Sequence, residues 1–300
     1  MNTIAVFGST GRVGTASVRR LGQSGASVRA VVRRTSTAAR VEGAGAVVQA
    51  DLLDPQAVAA AVEGCDGVQV ICPVSPVVPD PAAEMGALAE SLTEGLRDFP
   101  SLPVLVISDY GAQIPAGAGI PTLFHQIEER LGELPNPLTL VRSAEHMHNW
   151  APQLPTALRT GTLASRHQPL TRPLPMVHAA DVGTITADLL LSPPPHSGSP
   201  RVVHVEGPRR YTAREVAAAL AAVTGGVITA RELPREEWEP TLTAAGASPA
   251  FAELHADFCA AHNKGLIEPP AGADIRRGRT ALDAALASVI SVAGVGGQGA

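Results

Sequence analysis

The chain has 300 residues, a net charge of −5 and 45% hydrophobic residues, which is the size and composition of a globular enzyme. Its overall acidity argues against a general nucleic-acid or anionic-membrane surface. The three cysteines have no paired spacing, and no signal peptide or apolar run near the ~20 residues that span a membrane is recognised. We therefore expect a cytoplasmic monomer or homodimer without membrane or nucleic-acid partners.

The first segment has the pattern of a strand, a glycine turn and a helix. Residues 2–7 are apolar, residues 8–14 read GSTGRVG, and residues 12–23 have helical periodicity. Glycines let a pyrophosphate approach the backbone, and the free N–H groups and dipole at the start of the helix favour its negative charge. A second predicted strand at 27–32 completes the context of a dinucleotide site. The residues expected to bind phosphate are Gly8, Thr10, Gly11, Arg12, Val13 and Gly14.

The end of the second predicted strand indicates which dinucleotide is bound. NAD sites place an acid there for the ribose 2′-hydroxyl, whereas a 2′-phosphate needs cations. The chain offers Arg33 and Arg34, and the first 41 residues contain seven arginines and no acid. Because guanidinium groups bind phosphate through a fork of donors, the sequence predicts NADPH as the cofactor. The alternative is that these arginines are merely a solvated surface.

Strands and helices continue to alternate along the next hundred residues. Strands are predicted at 46–49, 67–72, 104–108 and 137–141, a helix begins at Asp54, and further helices cover 79–96 and 121–134. This alternation is typical of an α/β fold with a doubly wound parallel sheet, in which ligands collect beyond the carboxyl ends of the strands.

The remainder of the chain predicts a smaller α/β domain. A proline-rich, loop-rich lid is expected after Trp150, followed by a helix at 181–191 and a strand at 202–205. Thr212 and Glu215 form a capping box for the next helix, and a strand at 227–233 and a helix at 248–263 follow. We expect a dinucleotide-binding domain (1–150 and 175–206), a substrate-binding subdomain (151–174 and 207–290) and a flexible tail (291–300).

The chain resembles the NmrA-like branch of the atypical short-chain dehydrogenase/reductases over roughly residues 2–267. The resemblance rests on segments in the family's order: the turn at 8–14, Arg33, 49–52 (QADL), 127–131 (IEERL) leading to 138–142 (LTLVR), His148-Asn149, 177–183 (VHAADVG) and 206–208 (EGP) before Tyr211-Thr212.

The resemblance implies positions for the rest of the dinucleotide. Arg33 is expected near the adenosine ribose, Asp51 and Leu52 near the adenine, and Pro73, Val74 and Ser75 beside the nicotinamide ribose. The branch holds quinone and dye reductases, reductases and isomerases of natural-product pathways, and redox-sensing regulators that bind dinucleotide without turning it over.

One departure from most short-chain dehydrogenases concerns the proton donor. Their Tyr-x-x-x-Lys motif is absent, because the only lysine is Lys264 and the fourth residue after Tyr110 is Ile114. Tyr110, His125 or a water held by Ser108 remain candidate proton donors. The substrate is then expected to need little acid assistance, as a quinone, enone or iminium does.

Histidines form two further groups in the sequence. His146, His148 and Asn149 follow the sixth strand, where substrate enters the fold, so substrate contact and structural packing are both open. His255, Cys259 and His262 share a face of one predicted helix, but neither group has an acidic complement in a motif. No metal is expected.

Two functional classes remain from the sequence. The first is an NADPH-dependent reductase that transfers hydride to a small, conjugated, apolar molecule in the interdomain cleft, and this is the class we favour. The second is a dinucleotide sensor without turnover; an isomerase or cyclase using the same cleft is a third alternative.

Overall fold

The computed structural model describes residues 2–34, 41–194 and 198–292. The predicted tail at 291–300 therefore lies outside the described residues from 293 onward. Within the described part of the chain, no helix is both long enough and apolar enough to cross a membrane.

The described residues form twelve strands and ten α-helices, which are numbered in chain order. The strands are β1 (Thr3–Phe7), β2 (Ser27–Val32), β3 (Ala46–Gln49), β4 (Gly67–Ile71), β5 (Val104–Asp109), β6 (Leu138–Ser143), β7 (Glu145–His146), β8 (Thr162–Ser165), β9 (Met176–Val177), β10 (Arg201–Glu206), β11 (Thr229–Glu232) and β12 (Asp274–Arg277). The helices are α1 (Arg12–Gln23), α2 (Pro55–Val62), α3 (Pro81–Leu96), α4 (Ile120–Gly132), α5 (Leu154–Thr160), α6 (Ala179–Leu190), α7 (Ala213–Thr224), α8 (Trp238–Ala244), α9 (Pro249–Asn263) and α10 (Leu282–Val292).

The main sheet has eight parallel strands in the order β12-β10-β6-β5-β4-β1-β2-β3. The order along the chain reverses between β1 and β4, so this is a doubly wound sheet with its switch point between those strands. The predicted fold class is confirmed. The loops after β1 and β4 therefore flank the crevice in which such folds bind their ligands.

Apolar residues of β1 alternate between the two faces of the sheet. Ile4 and Val6 pack into a core with α1 and α6, whereas Ala5 and Phe7 pack into a second core with α2, α3 and α4. Because both faces are covered, the strand is apolar at every one of these positions. A third core, which includes Trp150 and Leu163, lies under the smaller part of the molecule.

Helix α1, which carries the glycine turn at its start, is held close to α6. A Cβ atom at Gly183 of α6 would lie 2.3 Å from the carbonyl oxygen of Val13, so only glycine permits this approach. The hydroxyls of Ser17 and Thr186 also contact each other at 3.2 Å across the two helices. The position of the turn is thus fixed by packing within the protein.

The predicted capping signals are confirmed. The Asp54 side chain accepts hydrogen bonds from the first-turn amides of α2. Thr212 and Glu215 form the reciprocal capping box of α7.

The prediction of a loop-rich lid after Trp150 is wrong at its start. A 3-10 helix covers Met147–Gln153, and α5 follows at once. Pro155 lies in the first turn of α5, where the missing N–H costs nothing, so proline here accompanies a helix.

Strand β12 and helices α8 and α10 are additions to the predicted elements. Strand β12 pairs with β10 at the edge of the main sheet, although the predicted division assigned its residues to the substrate-binding subdomain. The domain division as a whole stays a prediction.

Candidate functional site

The glycine turn connects β1 to α1 at the carboxyl end of the sheet. Gly8 has a φ of +75°, and the Gly11 amide donates to the Gly8 carbonyl at 3.0 Å. The buried hydroxyl of Ser9 donates to the Val31 carbonyl on β2 at 2.8 Å. The protein itself therefore preforms the turn.

The glycines of the turn are required for different reasons. A Cβ atom at Gly14 would lie 2.1 Å from the Gly8 carbonyl oxygen, so α1 can begin this close to the turn only with glycine. A Cβ atom at Gly11 would lie 3.3 Å from the same oxygen, and Gly11 has an ordinary φ of −79°. Gly11 is also exposed. Its absent side chain thus leaves the outer face of the turn open to a ligand.

The first turn of α1 is suited to an anion. It contains no acidic residue, and its first residue is the exposed Arg12. The uncompensated amides and the dipole of a 12-residue helix favour a phosphate here. Thr10 is exposed beside them, and Val13 is buried beneath. These residues fit a dinucleotide pyrophosphate.

The residues predicted for the adenosine end follow β2 and β3, which are adjacent strands. Arg33 and Arg34 are exposed directly after β2. Asp51 follows β3, and its carboxylate accepts a hydrogen bond from the Leu53 amide at 3.0 Å. Leu52, the residue after Asp51, is half-buried. The two strand exits therefore present cations and an apolar side chain on the same edge of the sheet.

The residues predicted for the nicotinamide ribose follow β4 on the other side of the switch point. Pro73 is exposed, and Val74 and Ser75 are half-buried. The next residue, Pro76, accepts a hydrogen bond from the Ser248 amide at 2.8 Å. Helix α9 therefore begins directly beside this strand exit, and the smaller part of the molecule reaches the dinucleotide edge.

Two of the predicted proton donors, Ser108 and His125, have protein partners. The Ser108 hydroxyl donates to Glu128 at 2.6 Å, and Glu128 also accepts two hydrogen bonds from Arg142, at 3.0 and 2.6 Å. Nδ1 of His125 hydrogen-bonds to the Ala112 carbonyl at 2.8 Å.

Tyr110, the third candidate, is 2% exposed, and its hydroxyl donates to Glu206. Burial, followed by the Glu206 carboxylate, raises the pKa of Tyr110 above its ordinary value of 10. The assignment of these three residues as proton donors stays a prediction.

Asp109 lies between Ser108 and Tyr110 at the end of β5 and was not among the predicted site residues. One of its carboxylate oxygens accepts a hydrogen bond from the Gly111 amide at 3.0 Å. Burial raises its pKa to about 7; the Gly111 amide opposes this, and the carboxylates of Glu128 and Glu145 add to it. Position at a strand exit was its only signal in the sequence, because its surroundings depend on tertiary packing.

Strand β7 brings Glu145 and His146 together just beyond the end of β6. Glu145 lies 3.0 Å from Nε2 of His167. Although burial acts to raise the pKa of Glu145, the charge and hydrogen bond of His167 hold it below the ordinary value. Burial lowers the pKa of His146 to about 4, so its imidazole is neutral at pH 7. The site thus combines a carboxylate with a neutral imidazole.

His148 connects this group with the glycine turn. Its ring centroid lies 5.2 Å from that of His146. Burial, followed by electrostatic repulsion between its protonated form and His146, Arg12 and His178 in their cationic forms, lowers the pKa of His148 to about 3. His148 follows β7 just beyond the carboxyl end of β6, at the same edge of the parallel sheet as the start of α1. Asn149 is exposed. The structure therefore brings His146 and His148 to the dinucleotide edge, and substrate contact stays a prediction.

Helix α9 contributes a row of rings to the same region. His262 lies 5.0 Å from His167 and 5.8 Å from Phe258 between ring centroids, and His255 lies 5.9 Å from Phe258. Burial lowers the pKa of His255 to about 4 and that of His262 to about 3. Among the residues that the structure describes, no group of three or more His, Cys, Asp or Glu side chains is arranged to hold a metal ion.

Two open depressions on the surface lie away from these groups. One of about 430 Å³ includes Cys65 and Asp98 and lies at the amino-terminal edge of the main sheet. The other, of about 270 Å³, lies between α7 and β11 and includes Arg214 and Ile228. Neither adjoins the strand exits, where the chemically competent side chains converge.

Comparison with known proteins identifies the domain built around the glycine turn. Residues 8–95 match the family described as NAD(P)H-binding. An NAD(P)H azoreductase from Xenophilus azovorans is 25% identical over 253 residues, which cover 83% of this chain and 84% of the relative.

Solved structures share the fold over nearly the whole chain. An NADPH-dependent quinone oxidoreductase from Escherichia coli, complexed with NADPH, has a TM-score of 0.73 at 21% identity and covers 96% of this chain and 99% of its own. NmrA, a negative transcriptional regulator in complex with NAD, has a TM-score of 0.72 at 16% identity and covers 97% and 96%.

The fold is that of a Rossmann protein, and its first strands and helices match an NAD(P)H-binding domain. The resemblance to NmrA-like atypical short-chain dehydrogenase/reductases is confirmed as far as the NAD(P)H-binding domain at residues 8–95 and the shared fold.

Proposed function

We propose that this protein is an NADPH-dependent reductase of a small conjugated acceptor. The observation that carries the proposal is the preformed glycine turn followed, at the next strand exit, by two exposed arginines in place of an acid. The similarity to an azoreductase over 83% of the chain supports the reductase class. The pyrophosphate then lies over Gly11, and the nicotinamide lies near Ser75.

Preference for NADPH is the first part of the proposal. Arg33 and Arg34 attract a 2′-phosphate, and among the described residues the first carboxylate after β2 is that of Glu42. We expect NADPH to bind at least about tenfold more tightly than NADH, which corresponds to about 1.4 kcal/mol. Isothermal titration calorimetry with both dinucleotides measures this ratio.

The matched variants are Arg33→Ala and Arg19→Ala. Arg19 is exposed on α1 away from the β2 exit, so both variants lose one surface charge. Arg33→Ala is expected to weaken NADPH binding about tenfold and to leave NADH binding unchanged, whereas Arg19→Ala preserves the ratio. Equal affinities of the wild type for the two dinucleotides would refute the 2′-phosphate site.

The acceptor class is the second part of the proposal. When bound, a reduced nicotinamide supplies a hydride, and conjugated acceptors such as quinones, enones, azo compounds or iminium ions can take it up. His146, His148 and Asn149 would contact such a molecule, and residues 151–174 and 207–290 would form its side of the cleft. NADPH oxidation measured with a panel of these acceptors tests the reductase. Tight NADPH binding without reduction of any acceptor would favour a dinucleotide sensor instead.

A further inference from the structure

Asp109 differs from its neighbours in having a carboxylate oxygen without a partner. Oδ1 accepts the hydrogen bond from Gly111, and no residue in the described ranges donates to Oδ2. Nor does any described arginine, lysine or histidine form an ion pair with Asp109. By contrast, the hydroxyls of Ser108 and Tyr110 are both engaged by glutamates. Within the described ranges, Asp109 therefore places at the β5 exit a carboxyl with one oxygen that no protein donor contacts.

The charges around Asp109 favour its protonated form. Glu128 on α4 and Glu145 on β7 are carboxylates close enough to act on it, and Arg142 on β6 is the cation that does so. Arg142 already donates two hydrogen bonds to Glu128, so its charge is largely compensated there. A half-buried acid with two anionic neighbours holds its proton more firmly than an exposed one.

The position of Asp109 is that of a group able to reach substrate. It ends β5, the strand next to β4, and the β4 exit carries the residues placed beside the nicotinamide ribose. Asp109 pairs with Ser143 of β6 in the sheet, and the Ser143 hydroxyl lies 3.2 Å from Nε2 of His146. Asp109 thus belongs to the same group of side chains as the proposed substrate contacts.

We propose that Asp109 is the proton donor of the reductase and that Glu145 is a positioning residue that, together with burial and Glu128, keeps it protonated. This inference rests on the proposed function. A neutral acceptor gains a hydride at one atom of its conjugated system, and the electron pair is displaced onto a carbonyl oxygen or the second azo nitrogen. The O–H bond of Asp109 breaks as the carbonyl oxygen or the second azo nitrogen takes the proton, and the resulting carboxylate is reprotonated from water. A cationic iminium acceptor becomes neutral on gaining hydride and needs no proton.

The two acceptor classes provide the test. In Asp109→Asn, the Gly111 amide keeps its acceptor, but the side chain cannot release a proton at neutral pH. We expect kcat/KM for an azo or enone acceptor to fall roughly 100-fold, as on loss of a general acid. The value for an N-methylacridinium ion is expected to be unchanged. Asp98→Asn makes the same chemical substitution at an exposed position on the opposite edge of the sheet, and this control should leave both values unchanged.

The pH profile tests the role of Glu145. With the neutral acceptor, kcat/KM of the wild type should fall as pH rises through about 7, because Asp109 then loses its proton. In Glu145→Gln a neighbouring negative charge is absent, so the pKa of Asp109 falls and the declining limb moves to lower pH. The acridinium profile should not move in either protein.

Carbon-13 NMR of the aspartate carboxyls in the dinucleotide-free protein gives a readout that is independent of turnover. We expect one carboxyl signal of the wild type to titrate near pH 7. The same signal should be missing from the spectrum of Asp109→Asn. Equal losses with both acceptors, an unmoved profile in Glu145→Gln, or an Asp109 carboxyl that titrates in the ordinary range near 4 would overturn the inference. If the wild type reduces neither acceptor, the reductase proposal itself fails, and the role of Asp109 fails with it.

Discussion

Gly11 and Gly14 occupy the same turn, but only Gly14 is demanded by the fold. We expect Gly11→Val to fold normally and to lose dinucleotide binding, because position 11 is exposed with an ordinary φ and a side chain there would cover the outer face of the turn. Circular dichroism and NADPH calorimetry measure the two effects separately.

Gly14→Ala is the matched comparison. Its Cβ atom would lie 2.1 Å from the Gly8 carbonyl oxygen, so this variant should lose stability on the order of 1–3 kcal/mol, as overpacked sites do. A Gly11→Val protein that keeps both its fold and its full NADPH affinity would show that the pyrophosphate does not bind at this turn.

At the scale of single residues, the sequence predicted what local chemistry determines. The glycine turn and the arginines after β2 are recognisable because their spacing follows directly from a strand, a turn and a helix. Asp109 was missed because its properties come from burial and from Glu128 and Glu145, which are distant in sequence and approach it only in the folded protein. Likewise, nothing local to Tyr110 indicates that Glu206 would accept its hydroxyl hydrogen.

Among the elements, α3 contains two glycines that should respond oppositely to alanine. No atom lies within 4 Å of a Cβ built at Gly86, so Gly86→Ala should stabilise the protein by about 0.5–1 kcal/mol through helix propensity. At Gly95 the Cβ would lie 2.7 Å from the Pro55 carbonyl oxygen and 2.8 Å from Val58, so Gly95→Ala should destabilise it by about 1–3 kcal/mol. Urea unfolding measures both values.

The two variants also control each other. Both variants replace glycine by alanine in the same helix. If helix propensity alone decided the outcome, the free energy of unfolding would rise in both. Stabilisation by Gly95→Ala would show that α2 and α3 are not packed as closely as the structure has them. NADPH affinity should be the same in both variants, because α3 lies away from the glycine turn.

The elements that the sequence predicted best are the strands and helices of the main sheet. The helix at residues 12–23 and the strands at 27–32 and 46–49 have their predicted bounds. A largely buried apolar run makes the strand at 27–32 visible, whereas the strand at 46–49 lies at the exposed edge of the sheet and is indicated by its paired valines. The charged edge strand β12 has no such pattern and owes its place to pairing with β10. Helix α5 was missed because Pro155 within it and Pro152 just before it favoured a loop.

For the molecule as a whole, Glu206 connects parts that are far apart in sequence. It ends β10, is 0% exposed, and accepts hydrogen bonds from Tyr110 after β5, Arg210 and Arg277 of β12. Arg210 also pairs with Glu268 beyond α9. Although burial acts to raise the pKa of Glu206, the hydrogen bonds of Arg210 and Tyr110 and both arginine charges hold it below 4.5. This buried carboxylate therefore joins the main sheet to the segment that follows α9.

Substitutions of Tyr110 and of Glu206 should lower the free energy of unfolding by different amounts. Tyr110→Phe leaves Glu206 with both arginines, so the expected loss is about 1 kcal/mol, and turnover should fall by less than the ~100-fold typical of a committed general acid. Glu206→Gln leaves Arg210 and Arg277 facing a neutral amide and should cost roughly 3 kcal/mol at pH 7.

The pH dependence of that cost decides whether charge is responsible. A carboxylate whose folded pKa is depressed contributes stability above its unfolded pKa, and the contribution is lost as pH falls through the lower folded value. The gap in unfolding free energy between wild type and Glu206→Gln should therefore be full at pH 7 and narrow progressively below 4.5. Urea unfolding at a series of pH values measures it, with Tyr110→Phe as the reference that keeps the carboxylate. A gap that stays constant down to pH 3 would mean that shape, and not the charge of Glu206, holds these parts together.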